Sequence, residues 1–131
     1  MQTFFPYPDF VKSAECLDYR RLNKQIIEAK QILTSLQTGK GWIHHPATKM
    51  WKNYEEALKK YHNVFLIEWI KRGYNNSREF LNVQSDFKLP HWFGSNDFHA
   101  AHRSNLLRKN LEFYSKFGWT ESADLPYVWP I

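Results

Sequence analysis

The feature that most constrains this chain is the spacing of apolar residues between Asp18 and Thr38. Leu22, Ile26, Ala29, Leu33 and Leu36 recur at intervals of four, three, four and three. A period near 3.6 puts all five on one side of an α-helix, whereas a strand alternates every second residue. Gly39 and Gly41 end the pattern, glycine being the residue that most readily takes the left-handed turn after a helix. Arg20, Lys24 and Gln31 fall opposite the stripe. Arg21, Gln25 and Glu28 run along one edge of it, at the boundary between core and solvent.

The rest of the chain reads as further helix. Pro6 and Pro8 keep the first residues extended, and Asp9 is placed to cap a short helix from Phe10 to Leu17. His45-Pro46 opens a long helix over about Ala47 to Arg72, closed by Gly73. Trp51, Tyr54, Leu58, Tyr61, Phe65 and Trp69 give it a wide aromatic face suited to a central position, and Lys71 and Arg72 complement the dipole at its end. Ser77–Leu81 has room for one helical turn, and Pro90, Trp92, Phe93 and Gly94 look like an ordered loop. A final helix spans about Asn96 to Lys109, extends to Phe117 and stops at Gly118. The tail, DLPYVWPI, is expected to pack back across the helices. No strand alternation, repeat or linker interrupts this order. The expectation is an all-α fold: a compact bundle of three main helices, with an extended N-terminus and an aromatic C-terminal tail, in one domain over residues 1–131.

Charge and aromatic content narrow the function. Eighteen lysines and arginines against thirteen acids leave +5, a field that favours polyanions. Six Trp, seven Tyr and ten Phe exceed what a small core needs, so some rings are expected at a surface or cleft. Cys16 is alone, which excludes an internal disulfide and a four-cysteine zinc site. The opening MQTFFPYPDF lacks the basic-then-apolar order of a signal peptide. No apolar run approaches the ~18 residues of a membrane span. A soluble monomer is expected, cytoplasmic in its own cell or in the host of a virus that encodes it.

Two basic clusters stand out. Arg20, Arg21 and Lys24 lie within two turns of one helix. Arg103, Arg108 and Lys109 fall in HRSNLLRKN, with His99 and His102 beside them and Ser104 and Asn105 as neutral donors. Phosphate binding uses this mixture of cations and short polar groups. Either cluster alone reads as a solvated helix surface; together with surplus aromatics they point to nucleic acid. Trp42, Trp92 and Trp119 fall in loops or at element ends, where a ring stacks on a base, wedges into a duplex or plugs the core edge. His99 and His102 have metal-ligand spacing on one helical face, but no HExxH motif or neighbouring carboxylate completes a site, so no metal and no cofactor is expected. Glu28, among cations at the edge of the apolar stripe, suits acid–base work; an ion pair with Lys24 or Arg21 stands equally open. No glycine-rich phosphate loop, nucleophile elbow or Cys-His arrangement is present.

Three segments resemble the phage pyrimidine-dimer glycosylase (endonuclease V) family. LDYRRLNK at 17–24 is similar to the AEYRELPR of that family's first long helix. EALKKYHNVFLIEWIKRGYN, from Glu56 to Asn75, resembles its central helix without a gap. FHAAHRSNLLRK at 98–109 is a weaker match to its last helix, and the aromatic tail also fits. The order is the family's, and the segments together cover most of the chain.

The resemblance implies a three-helix protein with its N-terminus threaded between helices at a DNA surface. It implies a glycosylase and AP lyase that acts on double-stranded DNA carrying a damaged or modified pyrimidine. In that family the N-terminal α-amine attacks the sugar C1′, forms a Schiff base, releases the base and cleaves the strand by β-elimination. An α-amine suits this work because its ordinary pKa of about 7.7–8.0 leaves a usable neutral fraction near pH 7. The expected catalytic residues are Met1, Glu28 and Arg21. Gln2, Arg20, Lys24, Gln25, His45, Trp92, His99, His102, Arg103, Asn105, Arg108 and Lys109 are expected on DNA. Two departures stand beside the match. The family glutamate directly follows the Tyr-Arg pair, and here that position is Arg21. Residue two is the bulky Gln2, which should block methionine removal and leave the amine on Met1. A rearranged glycosylase, a glycosylase for another modified base, and a non-catalytic DNA-binding relative all remain open.

Overall fold

A computed structural model describes residues 1–131, and its centre is occupied by the beginning of the chain rather than by a helix. Gln2 to Pro6 run extended and buried. Around them lie α1 (Phe10–Cys16), α2 (Tyr19–Thr38), α3 (Pro46–Lys49), α4 (Glu55–Lys71), α5 (Asn96–Lys109) and α6 (Leu111–Tyr114), then a 3-10 turn at Ser115–Phe117. There is no strand, and the all-α expectation with α2, α4 and α5 as its three main helices is met. None of the helices is long and apolar enough to cross a membrane. A core of 24 residues draws on every helix, and the lone Cys16 is buried in it with its thiol pushed up to about 12 by burial.

Helix α2 forms as its spacing requires. Asp18 caps it, its carboxylate accepting the Arg21 N–H at 3.4 Å and the hydroxyl of Tyr114. Gly39 closes it in the left-handed region at φ 69°, where an L side chain is disfavoured. Leu22, Ile26, Ala29 and Leu33 are buried against α4, the helix with which α2 makes its main contact. Helix α1 also lies on α4, tied there by the Arg72 guanidinium, which donates to the carbonyls of Ala14 and Glu15 at 3.2 and 3.1 Å.

Two expected elements differ. The helix read over Ala47 to Arg72 is broken into α3 and α4 by a turn, with Asn53 left-handed at φ 72°. The break lets Trp51 turn wholly inward, where its indole N–H donates to the Thr3 hydroxyl at 3.0 Å. Ser77–Leu81 is not helical. The Asn63 side chain brackets Leu81 instead, accepting its N–H at 2.9 Å and donating to its carbonyl at 2.8 Å. A side chain offering both backbone bonds competes directly with a helical turn.

Helix α5 closes the bundle through the N-terminal segment. A buried extended chain with no neighbouring strand leaves polar backbone groups that cost about 1–3 kcal/mol each if unpaired. Side chains supply the partners. Phe4 N–H donates to Gln25 Oε1 at 2.8 Å, and the Tyr61 hydroxyl reaches Phe4 O at 3.0 Å. Phe5 N–H donates to His102 Nδ1 and Phe5 O accepts from His99 Nδ1, both at 2.7 Å. Arg103 donates to Pro6 O at 2.7 Å. The Phe5 ring lies between 4.9 and 6.4 Å, centroid to centroid, from Phe10, Trp51, Tyr61, Trp92, Phe93 and His99. Truncating Phe5 to alanine should cost about 3–5 kcal/mol of stability, a typical value for emptying such a site.

The two histidines are held neutral in opposite tautomers. Gly94 N–H donates to His99 Nε2 at 2.9 Å, so the His99 proton is on Nδ1. His102 accepts at Nδ1, so its proton is on Nε2. Burial pushes both below the usual histidine range, His102 to about 3 with His99 beside it adding to the shift. An unfolded histidine takes its proton near pH 6.5. Below that pH the unfolded chain binds more protons than the folded one, so this stabilisation is complete above about pH 7 and is lost progressively on acidification. His102→Asn keeps an acceptor for Phe5 N–H without titrating. Urea midpoints measured between pH 7 and 5 should fall less steeply for this variant than for the parent; identical slopes would assign the acid sensitivity elsewhere.

Candidate functional site

The N-terminal segment emerges from the bundle into a cleft of about 250 Å³ formed by Met1, Gln2, Phe4, Arg20, Arg21, Lys24, Gln25, Glu28, Lys109 and Tyr127. Helix α2 supplies the floor, and the last residue of α5 and the tail supply the far wall. Of the residues expected on sequence grounds, Met1, Gln2, Arg20, Arg21, Lys24, Gln25, Glu28 and Lys109 are brought together here. Tyr127 was missed as a site residue; its signal was the aromatic tail, expected only to pack on helices.

Glu28 is the only carboxylate on this cleft and is 7 % exposed. Its Oε2 accepts the backbone N–H of Gln2 at 3.2 Å and the Gln25 amide at 3.4 Å. Lys24 Nζ stands 3.9 Å from Oε1, beyond hydrogen-bond reach. The Lys24 pairing is therefore loose, and the reach of Arg21 to Glu28 is not observed; Arg21 bonds Asp18 at 3.2 Å. Arg20 and Lys24 are exposed, Arg20 leaning on the Tyr19 hydroxyl at 3.0 Å. With the Met1 ammonium, four cationic side chains face one carboxylate.

His45 sits beside this cleft, not in it. Its Nδ1 accepts Ala47 N–H at 3.0 Å and caps α3, which leaves Nε2–H as a neutral donor. Its pKa is lowered by partial burial first and by the Met1 ammonium second, with Glu28 opposing. The amine and the carboxylate therefore both act on this ring.

Several expected DNA contacts are corrected by burial. His99, His102 and Asn105 are at most 2 % exposed. Each histidine holds the Phe5 backbone through its Nδ1, and their burial keeps them from phosphate contact. Trp92 is 3 % exposed and donates its indole N–H to Met50 O at 3.1 Å, so it plugs the core. Arg103 forms a two-bond pair with Glu121, both at 2.9 Å, as well as its bond to Pro6. Arg108 donates to the tail carbonyls of Ala123 and Leu125 at 3.0 and 3.3 Å. Trp119 is half-buried, bonded to the Tyr7 hydroxyl and stacked on Tyr114. The second basic cluster thus divides between the fold and the cleft, with Lys109 facing the cleft.

An all-helical chain that opens a cationic cleft around its own amino terminus is built to receive a polyanion. The family model for pyrimidine dimer DNA glycosylases matches residues 1–82, and this chain belongs to that family. The matched span holds the N-terminal segment and α1 to α4, hence every cleft residue except Lys109 and Tyr127. No curated protein and no solved structure gave a significant match. The family acts on DNA as a glycosylase, which makes this chain a DNA-repair enzyme by class.

Salt titrations of duplex binding test the division of charges. Arg20→Gln with Lys109→Gln should flatten the dependence of log K on log salt by about one unit per charge removed. Arg103→Gln should leave that slope in place and lower the urea midpoint. The reverse pattern would return Arg103 to the binding surface.

Proposed function

We propose that this chain excises damaged or modified pyrimidines from double-stranded DNA and cleaves the resulting abasic strand, using its own Met1 α-amine as nucleophile. The observation that carries the reading is that Met1, Glu28 and the cations Arg20, Arg21, Lys24 and Lys109 share one cleft. The neutral amine forms the N–C1′ bond with its lone pair as the bond from C1′ to the base breaks. The base leaves with those electrons and takes a proton. Loss of an amine proton and opening of the sugar, with O4′ protonated, give the protonated imine. Removal of a C2′ proton then expels the 3′ phosphate.

Glu28 Oε1 is the group assigned to these proton movements, because Oε2 is already engaged by Gln2 and Gln25. It would supply from two turns along α2 the carboxylate that Arg21 displaces from the family position. Arg20, Lys24 and Lys109 would take phosphates, and Arg21, paired with Asp18, would add positive potential beside the reacting sugar. Gln2 and Gln25 line the cleft and hold its carboxylate. His45 Nε2–H is a neutral donor at its margin. Extruding the nucleotide costs a few kcal/mol, offset by these contacts.

Borohydride with abasic duplex tests the chemistry, with intact mass reporting whether Met1 is retained. The protein with a free N-terminus should trap covalently. N-terminally acetylated protein should not, and equal trapping would remove the amine from the mechanism. Glu28→Gln should slow strand cleavage by about 10²–10⁴-fold, the usual worth of a proton-transfer group. A second reading, a DNA-binding relative without catalysis, is favoured by Arg21 at the family glutamate position. It predicts salt-sensitive binding with no adduct on any lesion.

A further inference from the structure

The cationic surface of α2 does not stop at the cleft. Between Tyr19 and Asn53 the chain carries seven lysines and arginines and a single carboxylate, the buried Glu28. At the far end of α2 a groove of about 340 Å³ opens between the helix and the loop that follows, with Lys30, Gln31, Thr34, Ser35, Lys40 and Trp42 around it. Trp42 is 52 % exposed and is the only one of the six tryptophans to stand out in this way. The loop that carries it is held on α2: the Trp42 backbone N–H donates to Ser35 Oγ at 3.1 Å, and Gly41, at φ 72°, lies so close that a Cβ there would meet Ser35 Oγ at 3.3 Å. Neither Lys30 nor Lys40 has an ion-pair partner.

The groove and the cleft both open along α2, which lines each of them. Gln31 and Ser35 follow Lys24 along the same face of α2. A row of rings joins the two openings: Tyr127 in the cleft stacks on Trp129 at 5.4 Å, Trp129 meets His45 edge-on at 5.8 Å, and His45 meets Trp42 at 6.1 Å. From Lys24 to Thr38 the helix rises about 21 Å at 1.5 Å per residue, the length of roughly six base pairs at 3.4 Å each.

We propose that this groove is a second DNA contact, which holds the duplex arm flanking the nucleotide in the cleft. Lys30 and Lys40 bind phosphates of that arm and the Trp42 indole packs against a base step. A protein partner would call for a broad apolar patch; here one ring stands among two free ammonium groups and short hydroxyl and amide side chains, the mixture that phosphate recognition uses. The proposal rests on the DNA-binding part of the reading above and not on the amine chemistry.

The test uses an abasic-site duplex with long arms and two duplexes in which one arm or the other is cut below about six base pairs. Lys30→Gln with Lys40→Gln should lower the salt slope by about two units. Trp42→Ala should weaken binding about tenfold, the usual loss for an aromatic–base contact. One shortened arm should weaken the parent protein and make little difference to the variants, while circular dichroism shows the variants folded. Unchanged slopes, or arms equally dispensable to parent and variants, would overturn the proposal. Borohydride trapping in parallel separates the two readings. Trapping without a slope change removes the groove alone, whereas a slope change without trapping removes the amine chemistry and leaves the groove.

Discussion

Everything in this molecule is arranged around an extended segment that has no strand to pair with. Residues 2 to 6 lie buried, so their polar backbone needs partners that no sheet provides. Side chains from three helices act in place of a neighbouring strand: Gln25 and Glu28 from α2, Tyr61 from α4, and His99, His102 and Arg103 from α5. Each bond adds little net stability, but losing any one partner leaves a buried group unsatisfied, which is the costlier event. The same bonds decide where the chain begins. With Phe4 and Phe5 pinned from both sides, the amino terminus comes out at the cationic cleft beside Glu28.

This arrangement explains the character of α5. His99, His102, Ser104 and Asn105 all face inward. Its role is to satisfy backbone: His99 and His102 hold Phe5, and Ser104 Oγ donates to Ser122 O at 2.6 Å and accepts Leu125 N–H at 3.0 Å, docking the tail. Residues adjacent in sequence therefore have different work. Arg103 braces Pro6 and Glu121, Arg108 holds the tail, and Lys109 faces the cleft.

The departure from the family pattern also becomes local. A carboxylate is useful where it sits in space, and the Tyr-Arg-Arg turn of α2 places Arg21 against Asp18 while Glu28 comes to the amide of Gln2. The cleft thus has its own carboxylate, two turns further along the same helix, among a surplus of cations. The run of cations toward Lys40 extends the same electrostatic logic along α2.

By itself the sequence determined the helical class, the extent of α2 and α5, and the basic balance, because a 3.6-residue apolar period and glycine stops report directly on backbone conformation. It also placed Met1, Arg20, Arg21, Lys24 and Glu28 as site candidates from one helix and a family likeness. It could not show the break at Asn53, since the apolar period runs through Trp51, Tyr54 and Leu58 unbroken and the turn is selected by the burial of Trp51 against Thr3. Nor could it tell which histidines meet solvent. A polar side chain turned toward a buried backbone and one turned toward a phosphate have the same letter and the same helical spacing. Only the path of the first six residues through the bundle separates them, because that path creates the unpaired amides and carbonyls that His99, His102 and Arg103 satisfy.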